Sequence, residues 1–353
     1  MKLAFLHIYF CVSVCSISGQ NLAALDSFFN IFKKNNNLMG SIAISKGGKM
    51  LYTKSIGYSI YNENQKVWAT GKTKYRIGSI SKTFTACIIF QLIEEGRLSL
   101  TTPLEKYFPG FPNAKLITIS DMLNHRSSIR NIVSIKNSQQ PRTEQEMMSI
   151  ISKGKQLFPP GSKTAYSNAN YLILGYIIEK IVNKPFGEVL KERLSKTGLF
   201  DTYYSNDPHV KGLESFSYKF KDDWVQLPNM DPSIIGASGG ILSTPTDLAH
   251  FMEALFNQQL ISLSSIMKMK TITENYGMGM LEFDLHLKKA YGQIGGIDQY
   301  ESVVAYFPAD SLAVALCVNG HTKSVKNIIV KGLDIFFNYT YQKTDAELVN
   351  RGH

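Results

Sequence analysis

Apolar residues recur along the chain with two spacings, every second position in some stretches and every third or fourth in others. Each spacing predicts a kind of element. The first stripe predicts a helix from Leu22 to Phe32. Between Gly40 and Ile60 the pattern gives two strands, Ser41–Ser45 and Met50–Thr53, joined at Gly47-Gly48, which is a hairpin signal. From Ile80 to Glu95, with Phe84, Cys87, Ile88, Phe90 and Leu92 apolar, it suits a largely buried helix stopped by Gly96. The middle, roughly 100–230, carries helical patterns broken by Pro and Gly. One of them runs from Ala169 to Val182 and stops at Asn183-Lys184-Pro185. Strands return at Ser302–Tyr306 and Leu312–Val318, around a Pro308-Ala309-Asp310 turn. A closing helix from Ser324 to Phe336 keeps Val325, Ile328, Ile329, Leu333 and Phe336 on one side. Strands at both ends with helices between predict an α+β fold, in which distant segments build one sheet and a helical lobe is inserted. A cleft is expected where the two lobes meet.

The ends of the chain change that picture slightly. Lys2, the apolar stretch Leu3–Val14 and small Ser16 and Ser18 before Gly19 have the form of a signal peptide. That segment is too short for a comfortable membrane span. The expected organisation is a leader at 1–18, a single two-lobed domain at 19–345 and a tail at 346–353, in an exported, periplasmic or secreted protein. Cys11 and Cys15 leave with the leader, and Cys87 and Cys317, both in apolar runs, read as buried thiols rather than a disulfide. Of 353 residues, 44% are apolar and 19% charged, which excludes disorder and leaves ample material for a core. Lys+Arg 38 against Asp+Glu 28 gives +10. The basic residues are scattered, whereas a nucleic-acid binder concentrates them on one helix or face. No nucleic-acid partner is expected.

The candidate chemistry starts at Ser79-Ile80-Ser81-Lys82. Ser-x-x-Lys alone is uninformative, and it recurs at Ser152…Lys155 and Ser265…Lys268. Context separates the three. Ser79 follows Gly78 and opens a long apolar helix, so Lys82 lies one turn on, on the same face. Free N–H groups at that helix start also favour negative charge. Lys155 instead follows Gly154, a helix stop, and Ser265 has no further motif at a useful spacing. A serine hydroxyl needs a base, and lysine serves if burial or another cation depresses its pKa. A lysine that stays charged can instead activate a neighbouring tyrosine. Tyr166-Ser167-Asn168, just before the Ala169 helix, supplies one, although Ser167 or Asn168 could equally be a plain N-cap.

Together these residues resemble the serine β-lactamase-like family, which includes class C β-lactamases, D-alanyl-D-alanine carboxypeptidases and related esterases. The similarity runs from about residue 38 to 340. It takes in Ile117-Thr118-Ile119-Ser120-Asp121-Met122-Leu123-Asn124-His125 and the stretch Ala237-Ser238-Gly239-Gly240 to Leu248. The family's third motif, Lys-Thr-Gly or His-x-Gly, belongs on a strand before the last helix. The literal Lys196-Thr197-Gly198 follows the helical stretch 186–195, and Gly198 is placed to end that helix. The matching position is Tyr291-Gly292-Gln293-Ile294-Gly295-Gly296, where the cation has become Gln293. A second departure is His125-Arg126-Ser127-Ser128, where the family has His-x-Ser-Gly.

The resemblance implies an antiparallel sheet flanked by helices, and a set of roles. Ser79 would form the acyl-enzyme while Lys82 and Tyr166 move its proton. Asn168 would hold the substrate amide or Lys82, and Gln293 and Gly295 would border the substrate. The backbone N–H groups of Ser79 and Gly296 would form the oxyanion hole. Neutral Gln293 offers no charged partner for a substrate carboxylate, which favours an esterase or peptidase over a true β-lactamase. The expected partner is a small-molecule or peptide substrate: an ester, a D-amino-acid peptide or a β-lactam-like amide. The rival is a silent family member that binds cell-wall fragments or peptides. No cofactor is expected, and His and Cys spacings offer no metal site, His125 reading as a structural turn residue.

Overall fold

Residues from both ends of the chain meet in the middle of one antiparallel sheet. The computed structural model describes residues 19–339, apart from 133, 134, 136, 206–213, 286 and 287. The expected leader and tail lie outside the described residues. The sheet strands are β1 (Leu38–Lys46), β2 (Lys49–Ile56), β3 (Leu281–Leu285), β4 (Lys288–Ile297), β5 (Tyr300–Phe307) and β6 (Leu312–His321), in the order β3-β4-β5-β6-β1-β2. The join is β1 on β6, with Ile42 opposite Leu316 and Ile44 opposite Val314.

Alternation along β6 divides the core. Val314, Leu316 and Val318 face one layer, made by α1 (Gly19–Lys34) and the closing helix α5 (Val325–Phe337) through Leu25, Phe29, Ile328 and Leu333. Ala313, Ala315 and Cys317 face the other. These small side chains admit α4 (Pro245–Phe256), whose Thr244 caps it by accepting the Asp247 N–H. The expected helix at Leu22–Phe32 is therefore longer at both ends, and Ser324 is the cap of the last helix, not its first turn.

Behind α4 lies α2 (Ser81–Glu94), buried on nearly every side. Its Phe84 stacks on Phe251 of α4 at 3.7 Å between centroids. Fully burying a phenylalanine contributes about 1.5–3 kcal/mol. Its polar positions find carbonyls, Thr83 Oγ1 donating to Gly279 O and Thr85 Oγ1 to Ala237 O, so the helix can be enclosed without stranding a hydroxyl. Helix α3 (Asn168–Val182) packs across α2 and ends on left-handed Asn183. The middle region is not helical throughout: Ser217–Phe220 pairs with Trp224–Leu227 as a hairpin, and Tyr203–Tyr204 pairs with Ile241–Ser243. These strands are too short for a period-two pattern to register in the sequence. Cys87 and Cys317 are free and buried, as expected.

Candidate active site

The position of Ser79 follows from one turn. Strand Tyr75–Arg76 pairs with Ile241–Ser243 and runs into Gly78, whose φ of +53° reverses the chain into a single 3-10 turn, Gly78–Ile80, before α2. Ser79 sits on that turn, and Lys82 lies in the first turn of α2, fully buried. Lys82 Nζ donates to Ser79 Oγ at 3.0 Å, Asn168 Oδ1 at 2.8 Å and the Ser238 carbonyl at 2.8 Å. Ser79 Oγ also lies 2.5 Å from the Tyr166 hydroxyl, and Lys82 Nζ lies 4.9 Å from the Tyr166 ring centre. Four candidate residues from two segments thus converge: Lys82 and Tyr166 on Ser79 Oγ, and Asn168 on Lys82 Nζ.

Burial sets the electrostatics. Lys82 is held well below the usual lysine range by loss of water. Tyr166 moves the other way, pushed up to about 12 by burial although its bond to Ser79 opposes the rise. Beneath Tyr166, 4.6 Å between ring centres, lies His125. Burial, with the Lys82 cation nearby, holds His125 down at about 3, so it is neutral and its Nδ1 accepts the Ser167 N–H. His125 adopts φ +57° and acts as a turn residue that supports the tyrosine.

The Tyr166-Ser167-Asn168 turn does not cap its helix. Ser167 occupies the cap position with no side-chain bond to the helix, and its buried Oγ has no partner among the described residues. Asn168 spends its Oδ1 on Lys82 instead. That excludes the plain capping reading.

The other candidates sit on β4. Its end abuts the nucleophile turn: a Cβ on Gly295 would stand 1.9 Å from the Ile77 carbonyl oxygen and 3.2 Å from Ser79 N, while one on Gly78 would stand 2.8 Å from Gly296 N. Only glycine permits this approach, and it sets the backbones of 78–79 and 295–296 side by side. Gln293 shares the sheet face of Gly295 but is buried, and its Oε1 accepts the N–H of Ile294. It does not line the cleft. Arg126 is also turned away, paired with Glu274 at 3.4 Å. Lys196 is exposed on a 3-10 turn at the end of a helix, with Gly198 left-handed beyond it. Ser265 Oγ is tied to Glu94 at 2.6 Å, and Ser152 Oγ to the Ser149 carbonyl.

The cleft itself has a volume of about 220 Å³. Ser79, Asn168 and Gly296 border it with a wall of isoleucines, and Asp298 stands at one side. Two participants had escaped the sequence reading. The Ser238 carbonyl, a backbone group, has no signature beyond its place in the quoted Ala237–Leu248 segment. Asp298 follows the Gly-Gly pair by two positions and could have been flagged from that spacing. No group of three or more His, Cys, Asp or Glu among the described residues is placed to hold a metal ion. Nor is any described helix long and apolar enough to cross a membrane.

Comparison with known proteins finds relatives over most of the chain. The chain is similar to the putative penicillin-binding protein PbpX of Bacillus subtilis (strain 168), 27% identical over 257 residues covering 70% of the chain and 63% of that protein. It is also similar to a teichoic acid D-alanine hydrolase of Staphylococcus aureus, 28% identical over 227 residues covering 63% of the chain and 55% of that protein. The chain therefore spans about three fifths of the length of these curated relatives. In three dimensions it resembles D-amino acid amidase from Ochrobactrum anthropi SV3, with a TM-score of 0.80 over 90% of this chain and 99% of that one. At 23% identity that likeness speaks to the fold alone, the β-lactamase/transpeptidase fold. The Beta-lactamase family profile matches residues 31–330 and so embraces all the segments that converge on Ser79. The chain belongs to the Beta-lactamase family.

Proposed function

We propose that this chain is an exported serine hydrolase that cleaves esters or amides of D-amino acids through an acyl-enzyme on Ser79. The observation that carries the reading is the placement of Ser79 Oγ within hydrogen-bond reach of both Lys82 Nζ and the Tyr166 hydroxyl. The names of the teichoic acid D-alanine hydrolase and the D-amino acid amidase support the substrate class, and the leader-like first 18 residues support export.

Ser79 Oγ attacks the carbonyl carbon and forms the new C–O bond. Its proton passes to Lys82, directly or through the Tyr166 oxygen. A lysine held low by burial is neutral in a larger fraction of molecules and can accept it, whereas a phenol pushed up to about 12 stays protonated and serves as a relay. The bond to the leaving oxygen or nitrogen then breaks, and that atom leaves with the proton. Water enters, gives its proton to the same relay and hydrolyses the ester, restoring Ser79. Negative charge on the carbonyl oxygen meets the N–H groups of Ser79 and Gly296, which the Gly295 contact holds together. Asn168 fixes Lys82 with its Oδ1 and leaves its Nδ2 for the substrate.

The test is intact mass after exposure to a fluorophosphonate or an activated ester. One adduct on Ser79, absent in Ser79→Ala, is expected. No adduct with several acyl donors, or an adduct on Ser152 or Ser265, would overturn the reading in favour of a family member that binds without turnover.

A further inference from the structure

Among the described side chains that line the cleft, Asp298 is the charged one. It stands two residues beyond Gly296, at φ +55°, in the two-residue turn that joins β4 to β5, a left-handed position that Asp and Asn adopt readily. Its carboxylate is 11% exposed and accepts the Met230 N–H at 3.2–3.3 Å.

The local charge does not balance. Arg76 is the cation beside Asp298, at 4.0 Å, and it is already closer to another carboxylate, with Nε 2.7 Å from Glu214 Oε1. A further guanidinium nitrogen, Nη1, donates to the Met230 carbonyl at 2.6 Å. Among the described residues, one guanidinium thus faces two carboxylates at this part of the cleft wall. Burial raises the Asp298 carboxyl above its usual range, the Met230 N–H and Arg76 opposing it, as expected of an anion short of partners. Charge of the opposite sign arriving with a substrate would relieve this.

The rest of the wall is apolar, built from Ile132, Ile135, Met230, Ile234, Ile235 and Ile297. At about 220 Å³ the space falls below the roughly 300–1,000 Å³ of drug-sized ligand pockets, so it suits one residue rather than a peptide. We propose that Asp298 binds the free ammonium of the acyl group, so that the preferred substrates are esters or amides of a single unblocked amino acid with an apolar side chain. This rests on the hydrolase reading and narrows it: N-acylated donors, peptides extended at the amine and substrates recognised through a carboxylate are disfavoured.

The experiment measures binding of D-leucine amide and of N-acetyl-D-leucine amide to Ser79→Ala by calorimetry, then repeats it in Ser79→Ala/Asp298→Asn. Asparagine keeps an acceptor for the Met230 N–H, tolerates the left-handed backbone and removes only the charge. The free amine is expected to bind on the order of 10- to 100-fold tighter than its acetylated form, the range of a hydrogen bond to a charged group, and the ratio should collapse towards one in the double variant. Equal affinities in Ser79→Ala, a ratio unaffected by Asp298→Asn, or a parallel loss of both ligands would each overturn the assignment. Because no turnover is involved, these outcomes are distinct from failure of Ser79 to acylate, which would overturn the hydrolase reading alone.

Discussion

Lys82→Met is the perturbation that separates a base from a structural cation most cleanly. Methionine has nearly the length of lysine, so it fills the space and removes the amine. Lys82 is fully buried, and its ammonium donates to Ser79 Oγ, Asn168 Oδ1 and the Ser238 carbonyl. Two opposing terms decide the stability. Leaving Asn168 Oδ1 and Ser238 O without a donor costs about 1–3 kcal/mol each. Removing a desolvated amine returns several kcal/mol, which is of similar size. The variant should therefore stay within about 2 kcal/mol of wild type in urea unfolding. Catalysis has no such offset. Loss of the proton acceptor should lower the second-order rate of Ser79 acylation by roughly 10²–10⁴-fold, or about 3–5 kcal/mol in the barrier. The pH profile gives an independent reading. Protonated Lys82 cannot act as a base, so in wild type the rate rises with pH through an apparent pKa below the lysine value of 10.5, and that limb should vanish in the variant. A Lys82→Met protein that keeps more than about a tenth of the acylation rate, or keeps the acid limb, would refute the assignment of the base.

Two further outcomes test the alignment of the third motif and the contact that shapes the oxyanion site. Lys196→Ala should change acylation less than about twofold, since that lysine is exposed on a turn outside the cleft; a large loss with the fold intact would move the motif to Lys196-Thr197-Gly198. Gly295→Ala should lower stability by about 1–3 kcal/mol and acylation at least tenfold, because its Cβ meets backbone at Ile77; Gly296→Ala has open space and should fold as wild type, so equal behaviour of the two in urea unfolding would refute the abutment.

What was legible in the sequence is what is local. Ser79 and Lys82 are three residues apart, and the long apolar run after them is enough to place both on one helix face. Helix α3 was visible from its apolar pattern and from Asn183, whose left-handed conformation ends it. Element ends were less legible, because the extra residues of α1, β1 and β6 are fixed by pairing and packing with partners far along the chain. The short strands at 203–204 and 217–227 were read as part of a helical region for the same reason. Within the site, the turn at Ser167-Asn168 carried two meanings in sequence, cap or contact. Only the position of Lys82 Nζ separates them. The Ser238 carbonyl and the left-handed backbone of Asp298 belong to main-chain geometry and leave little trace in residue identity.

Under the proposed reading, Gln293 and Asp298 have one electrostatic consequence. Where the family places a lysine or histidine, this chain has Gln293, which is neutral, buried and bonded back to its own strand. Five residues later, on the turn between β4 and β5, it has Asp298, which borders the cleft. Removing a cation weakens attraction for carboxylates. An anion at the cleft goes further, because it repels them and attracts ammonium. Arg126 does not restore positive charge there, since it is paired with Glu274. The proposed catalytic set around Ser79 does not depend on either residue, since acyl transfer needs only the serine, its proton acceptor and two backbone N–H groups. On the proposed reading, nucleophilic chemistry and substrate charge are carried by separate residues, so the second can differ in sign while the first is kept.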